Sequence, residues 1–205
     1  MKKYWSKYNL HLLTVAAVIV LIYMLINWQQ MSTMKKWLGL FCIGITLHEW
    51  EETRFPGGFF ELMTRKFGIS DVTEYKKDLA HGSVVVAISF FALIPFILSD
   101  VAWLSVVPAI LGIFESIIHI AGIRIHHLPR PYSPGMATAL ICLLPCSIGI
   151  IMSIGNGVGW KLILSFIYYF LTFACMEVMV WSAFGVSPKD LPKTFHQAIL
   201  SGRNK

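Results

Sequence analysis

The sequence predicts an all-α polytopic membrane protein: one domain over residues 1–205, a bundle of six transmembrane helices with both termini cytoplasmic. Three observations carry this. Hydrophobic residues make up 56% of the 205 and charged residues 14%, and mean hydropathy is +0.66, too little polar surface for a soluble chain of this size. Apolar runs near the ~20 residues needed to cross ~30 Å of hydrocarbon recur along the chain. Lys and Arg concentrate on alternate connections, and their preference for cytoplasmic loops converts that pattern into an orientation.

The first span, 10–28, follows a short basic start and is expected to be retained, because no small-residue cleavage site follows Trp28. Lys35-Lys36 lead into the second, 37–52, which ends on Leu47-His48-Glu49-Trp50-Glu51-Glu52-Thr53-Arg54. In the basic segment 54–78, Phe59, Phe60, Leu62, Met63 and Phe67 interleave with Arg65 and Lys66, which fits equally a short piece lying on an anionic membrane surface and an ordinary loop with packed aromatics. Asp71-x-x-Glu74 reads as an acidic capping box, so a helix is expected from near Asp71 into the third span, 79–98, with Pro95 kinking its far end. Ser99-Asp100 turns the chain into the fourth span, 101–123. Pro129, Pro131 and Pro134 stop helix continuation before the fifth, 135–154. Gly155-Asn156-Gly157 is a turn, the sixth span is 160–184, and a basic tail follows.

The composition also excludes. Cys42, Cys142, Cys146 and Cys175 all lie in apolar runs and are expected to be reduced core residues, with no zinc-type spacing. The net charge of +6 is spread over span ends rather than gathered in a patch, which argues for membrane lipids and against nucleic acid as partner. A multi-pass protein of the inner (cytoplasmic) membrane is the expected setting.

Ionisable residues inside the spans cost about 2.5–3.5 kcal/mol each, so they should face one another and not lipid. With alternating orientation they fall at one depth. His48, Glu51 and Glu52 end the second span, with i,i+3 and i,i+4 spacing that places them on one face and turns Glu49 away. His81 opens the third span, Glu115 and His119 close the fourth, and Glu177 lies late in the sixth. Carboxylates packed together repel, and a divalent cation relieves that repulsion. Imidazole and carboxylate donors suit zinc first, with iron or manganese compatible, as one or two ions. The ligands expected are His48, Glu51, His81, Glu115 and His119, with Glu52 or Glu177 as the general base. Arg54 is a candidate partner for Glu51, and His11, His126, His127 and His196 read as solvated.

The H-x-x-E-E spacing followed by Arg54 and Phe55-Pro56-Gly57-Gly58, with the stretch Tyr132-Ser133-Pro134-Gly135-Met136-Ala137-Thr138-Ala139, resembles the HXXEE family of small bacterial membrane proteins. That resemblance implies a compact multispan protein in which His48, Glu51 and Glu52 are functional, and it implies no substrate. Glu51-Glu52 with His81 and His119 is also similar to the CAAX-protease and bacteriocin-processing family. There Arg54 follows Glu52 by two residues instead of four, and Ile123 stands where a polar partner of His119 is expected. The expected function is a metal-dependent membrane hydrolase acting on a lipid or amphipathic substrate. The alternatives are a metal-free glutamate-type intramembrane protease, a di-iron-type oxidoreductase and an ion-coupled transporter.

Overall fold

The computed structural model describes residues 8–155 and 158–193, and every assigned element within them is helical. The basic start, the Asn156-Gly157 pair of the expected turn, and most of the tail with His196 lie outside the described residues. In chain order the helices are α1 (Asn9–Asn27), α2 (Thr33–Thr53), α3 (Phe59–Lys66), α4 (Glu74–Ile97), α5 (Val106–Ile125), α6 (Met136–Met152) and α7 (Gly159–Ala183). Four of them, α1, α4, α5 and α7, are long and apolar enough to cross a membrane. The outward faces of α1 and α7 remain apolar, with Leu25 and Ile26 71% and 76% exposed and Leu171 63% exposed. A surface of this kind belongs against lipid, and the chain is a membrane protein.

Local chemistry sets the boundaries. Ser32 caps α2 by accepting from Lys35 N at 3.2 Å. The expected cap at Asp71 is displaced: Thr73 caps α4 by accepting from Lys76 N at 3.3 Å, while Asp71 takes the Lys76 ammonium at 2.6 Å. The expected fourth span, α5, begins at Val106 and not at 101, after a run of turns over residues 98–105. Pro108 accounts for this, since a proline is tolerated in the first helical turn but would break an established one.

Two helices widen before a proline. Ile94 N–H bonds Ser89 O, and Leu144 N–H bonds Ala139 O, each an i→i−5 step. Pro95 and Pro145 follow directly. The wider π turn gives the proline ring room against the preceding turn, so Pro95 acts through a bulge just ahead of it.

α4 packs along α7, α1 along α2, and α6 bridges α2 and α5. The bridge is close. A Cβ at Gly112 of α5 would lie 3.0 Å from Leu143 O and 2.9 Å from the Phe41 ring, the small-residue contact that membrane helices use to approach. Phe41, Phe91, Leu143 and Ile150 fill the main core. A second apolar cluster docks α3 on the bundle rather than on lipid, with Phe60 against Phe184 (5.7 Å between centroids) and Phe67 against Trp181 (4.3 Å). All four cysteines are free; Cys42 and Cys146 are buried, but Cys175 is exposed on α7, so it is a lipid-facing residue and not part of the core.

Candidate metal centre

α2 and α5 each present a histidine and a glutamate four residues apart, His48 with Glu52 and Glu115 with His119. Such pairs share a helix face, and the two faces meet. Each of the four side chains offers one donor atom, and these atoms all lie within 4.8 Å of one another. His119 Nε2 is 3.1 Å from Glu52 Oε1 and 3.5 Å from Glu115 Oε2; His48 Nε2 is 3.6 Å and 3.8 Å from the same two oxygens. Ligands at ~2.0–2.1 Å from a tetrahedral ion stand about 3.4 Å apart. The four measured edges bracket that value. Two carboxylates and two neutral imidazoles also balance a divalent cation.

The outer partners settle which nitrogens carry hydrogen. His48 Nδ1 faces two acceptors, the Gly135 carbonyl at 3.0 Å and Thr138 Oγ1 at 3.1 Å. Ser133 spends its hydroxyl hydrogen on His119 O at 2.9 Å and therefore accepts from His119 Nδ1 at 3.2 Å. Both imidazoles carry the Nδ1 hydrogen, so in the neutral ring each Nε2 presents its lone pair to the centre. His119 Nε2 is buried and makes no hydrogen bond, although Glu52 Oε1 is near it. A buried nitrogen of this kind, aimed between two carboxylates, fits a cation.

The motif's second glutamate, not its first, joins the centre. Glu51, expected as a ligand, turns to the loop before α6. It accepts from Tyr132 Oη at 2.6 Å, Ala137 N at 3.0 Å, Thr138 N at 2.7 Å and Thr138 Oγ1 at 2.5 Å. Its oxygens are consumed in holding the segment that orients His48 and His119. Burial and the bond to Glu51 push the Tyr132 phenol well above its ordinary range, so it stays a donor. Glu51 has no call on Arg54, which is exposed at the end of α2.

His81 also falls outside the group. It pairs with buried Glu49 at 3.1 Å, so Glu49, expected to point away, makes a second acid–imidazole contact beside the first. Glu177 accepts from Trp181 Nε1 at 2.7 Å and stands on the wall of the adjoining cavity, outside the four-residue group. Sequence reasoning missed Glu49, the partners Tyr132, Ser133, Gly135 and Thr138, and His126, which lines the cavity instead of standing in solvent. The clue was available in Tyr132–Thr138, where hydroxyls alternate with Pro and Gly at the entrance to an apolar run.

Gly135 shows how tightly the loop closes. It adopts φ +95°, and a Cβ there would lie 2.8 Å from both Glu52 Cγ and His119 Nε2. Only glycine meets both demands. Behind the centre lies a cavity of about 490 Å³ lined by α2, α3, α4, α5 and α7, within the ~300–1,000 Å³ range of small-molecule sites. Phe59, the first residue of α3, sits 5.8 Å from the His119 ring at its edge.

Fold and site together define a membrane-embedded helical bundle with a buried His/Glu centre facing an apolar cavity. The profile of a family described as proteins of unknown function with an HXXEE motif matches residues 40–150, more than half of the chain, and the protein belongs to that family. The matched region holds all four donors and the Tyr132–Thr138 loop but stops before α7 and Glu177. No curated protein and no solved structure matched the chain.

Proposed function

We propose that this protein is a metal-dependent hydrolase of the cytoplasmic membrane, acting on an amphipathic substrate that reaches the centre through the cavity. The observation that supports it most is the set of four donors with edges of 3.1–3.8 Å and both Nε2 lone pairs turned inward. His48, Glu52 and His119 would hold the ion, zinc before iron or manganese. Glu115 has the longer mean separation and an 18% exposed side chain, and it faces the cavity. These features suit a residue that completes the coordination at rest and takes a proton during reaction. A bound divalent metal supplies a Lewis acid and lowers the pKa of a water to ~7. Glu115 accepts the proton of the attacking water and returns it to the leaving atom, as the water oxygen bonds the substrate's electrophilic centre and the leaving bond breaks.

Protein purified without chelator should contain about one transition-metal ion per chain, and His48→Ala should remove it. Absence of stoichiometric metal, with His48→Ala indistinguishable in thermal stability, rejects the proposal. The same distances suit a metal-free imidazolium–carboxylate network, which predicts activity that survives chelation. Six crossings belong to this reading as well. α2, at 21 residues, spans about 31 Å, and α6 about 25 Å, both near the thickness of the hydrocarbon core. The Lys and Arg distribution would put the centre and both termini on the cytoplasmic side.

A further inference from the structure

The cavity behind the centre is graded along its length. On α5 the lining runs from Leu111 and Phe114 through Glu115 and His119 to His126. At ~1.5 Å per residue this covers about 22 Å, with the donors near the middle. Along α7 the lining runs from Phe173 through Glu177 and returns to aromatic residues at Trp181 and Phe184. α3 adds the far end: Phe59 touches His119, and Lys66, seven residues on and about 10 Å away, lines the cavity beside His126.

Lys66 differs from Lys76 and Lys77. Lys76 pairs with Asp71 at 2.6 Å, and Lys77 pairs with Glu61 at 2.7 Å and with Glu74. No ion pair to Lys66 exists among the described residues. Arg65, exposed, adds a positive charge beside half-buried Lys66. The interfacial end therefore carries Lys66 and His126 among aromatic side chains such as Phe67 and Phe184, the middle holds the donors, and the deep end is wholly aromatic and aliphatic.

We propose that this cavity binds a single-chain amphiphile lengthwise, with an anionic head at Lys66, an apolar tail among Phe91, Phe114 and Phe173, and the labile bond between them beside Glu115. The inference deepens the hydrolase reading and rests on the same site. In the bilayer the tail exchanges lipid for the deep end, so packing against Phe91, Phe114 and Phe173, and not removal from water, holds it there. The head finds Lys66, which has no ion pair among the described residues, and the gradient fixes which bond of the ligand lies at the donors.

The test is native mass spectrometry of the full chain in zwitterionic nanodiscs with three probes: dodecyl phosphate, dodecyltrimethylammonium and inorganic phosphate. Dodecyl phosphate should bind about tenfold tighter than the cationic amphiphile, the scale of one charge-assisted hydrogen bond, and Lys66→Glu should abolish or reverse that order. Met176→Trp, which narrows the cavity on the way to the deep end, should weaken both alkyl probes alike. Equal affinity for both heads, or an order unchanged by Lys66→Glu, overturns the proposal. Inorganic phosphate binding as tightly as dodecyl phosphate also overturns it, since the site would then take a small anion. His48→Ala separates the two readings: it should lose metal yet retain dodecyl phosphate. Selective amphiphile binding by a metal-free wild type would leave this inference standing and sink the hydrolase, and metal without selectivity would do the reverse.

Discussion

Glu51 and Glu52 are adjacent and chemically identical, yet the fold gives them opposite tasks. About 100° of helical rotation separates them, so the i,i+3 and i,i+4 steps from His48 look equally good in the sequence. The choice is made by Tyr132, Ala137 and Thr138, more than 80 residues away, whose donors claim Glu51. Glu51→Gln keeps the shape but loses the charge; it should weaken metal binding by about 10–100-fold in a competition titration without emptying the centre at saturating metal. Glu52→Gln should empty it. Gly135→Ala should abolish metal binding while circular dichroism stays helical. Gly58→Ala, at φ +99° with nothing within 4 Å of the added Cβ, should cost only ~1 kcal/mol of backbone strain and leave the metal in place. His126 carries a pH dependence. Partial burial, with Lys66 and then Arg65 nearby, holds its imidazole below the ordinary range. The unfolded chain then takes the proton more readily, so this stability is present above about pH 6.5 and lost as pH falls through the lowered folded value. A thermal melt series should show the loss, and His126→Gln should reduce it.

At the level of elements, the apolar runs announced the helices, and the positions of their ends followed from details a hydropathy pattern does not carry. Thr73 in place of Asp71 and Val106 in place of 101 are shifts of two and five residues, set by a cap and by a proline. The π turns at Ser89–Leu93 and Ala139–Leu143 shift the phase of their helices, so no single 3.6-residue period describes α4 or α6. The second turn lies directly after Thr138. Pro145→Ala removes the reason for the wide turn; a return to α register would rotate Ala137 and Thr138 away from Glu51. Metal affinity should fall in this variant and be unchanged in Pro95→Ala, whose turn is remote from the donors. α3 was legible as an amphipathic piece, but its partner was not. The apolar surface of Phe184 and Trp181 competes with lipid for the same face, and the packing wins.

For the whole molecule, what the sequence did disclose is that His48, Glu52, Glu115, His119, His81 and Glu177 lie at one end of the bundle. Charge is too costly in hydrocarbon to be scattered, so depth was readable. Rotation about each helix axis was not, and it decides that Glu49 meets His81 while Glu52 meets His119. The six-crossing arrangement has a direct check: in a cysteine-free background, Ser70→Cys and Arg130→Cys should label from the cytoplasmic face and Asp100→Cys from the opposite one. Labelling of all three from one side would remove it. The division of the donors between α2 and α5, with the loop that orients both imidazoles following α5, bears on biosynthesis. A chain emerging from the ribosome carries half the centre into the bilayer long before the other half has been translated. A metal bound at this centre would therefore be captured only after Gly135 has emerged, and a nascent chain stalled before Gly135 could insert its early helices correctly and still be unable to retain an ion.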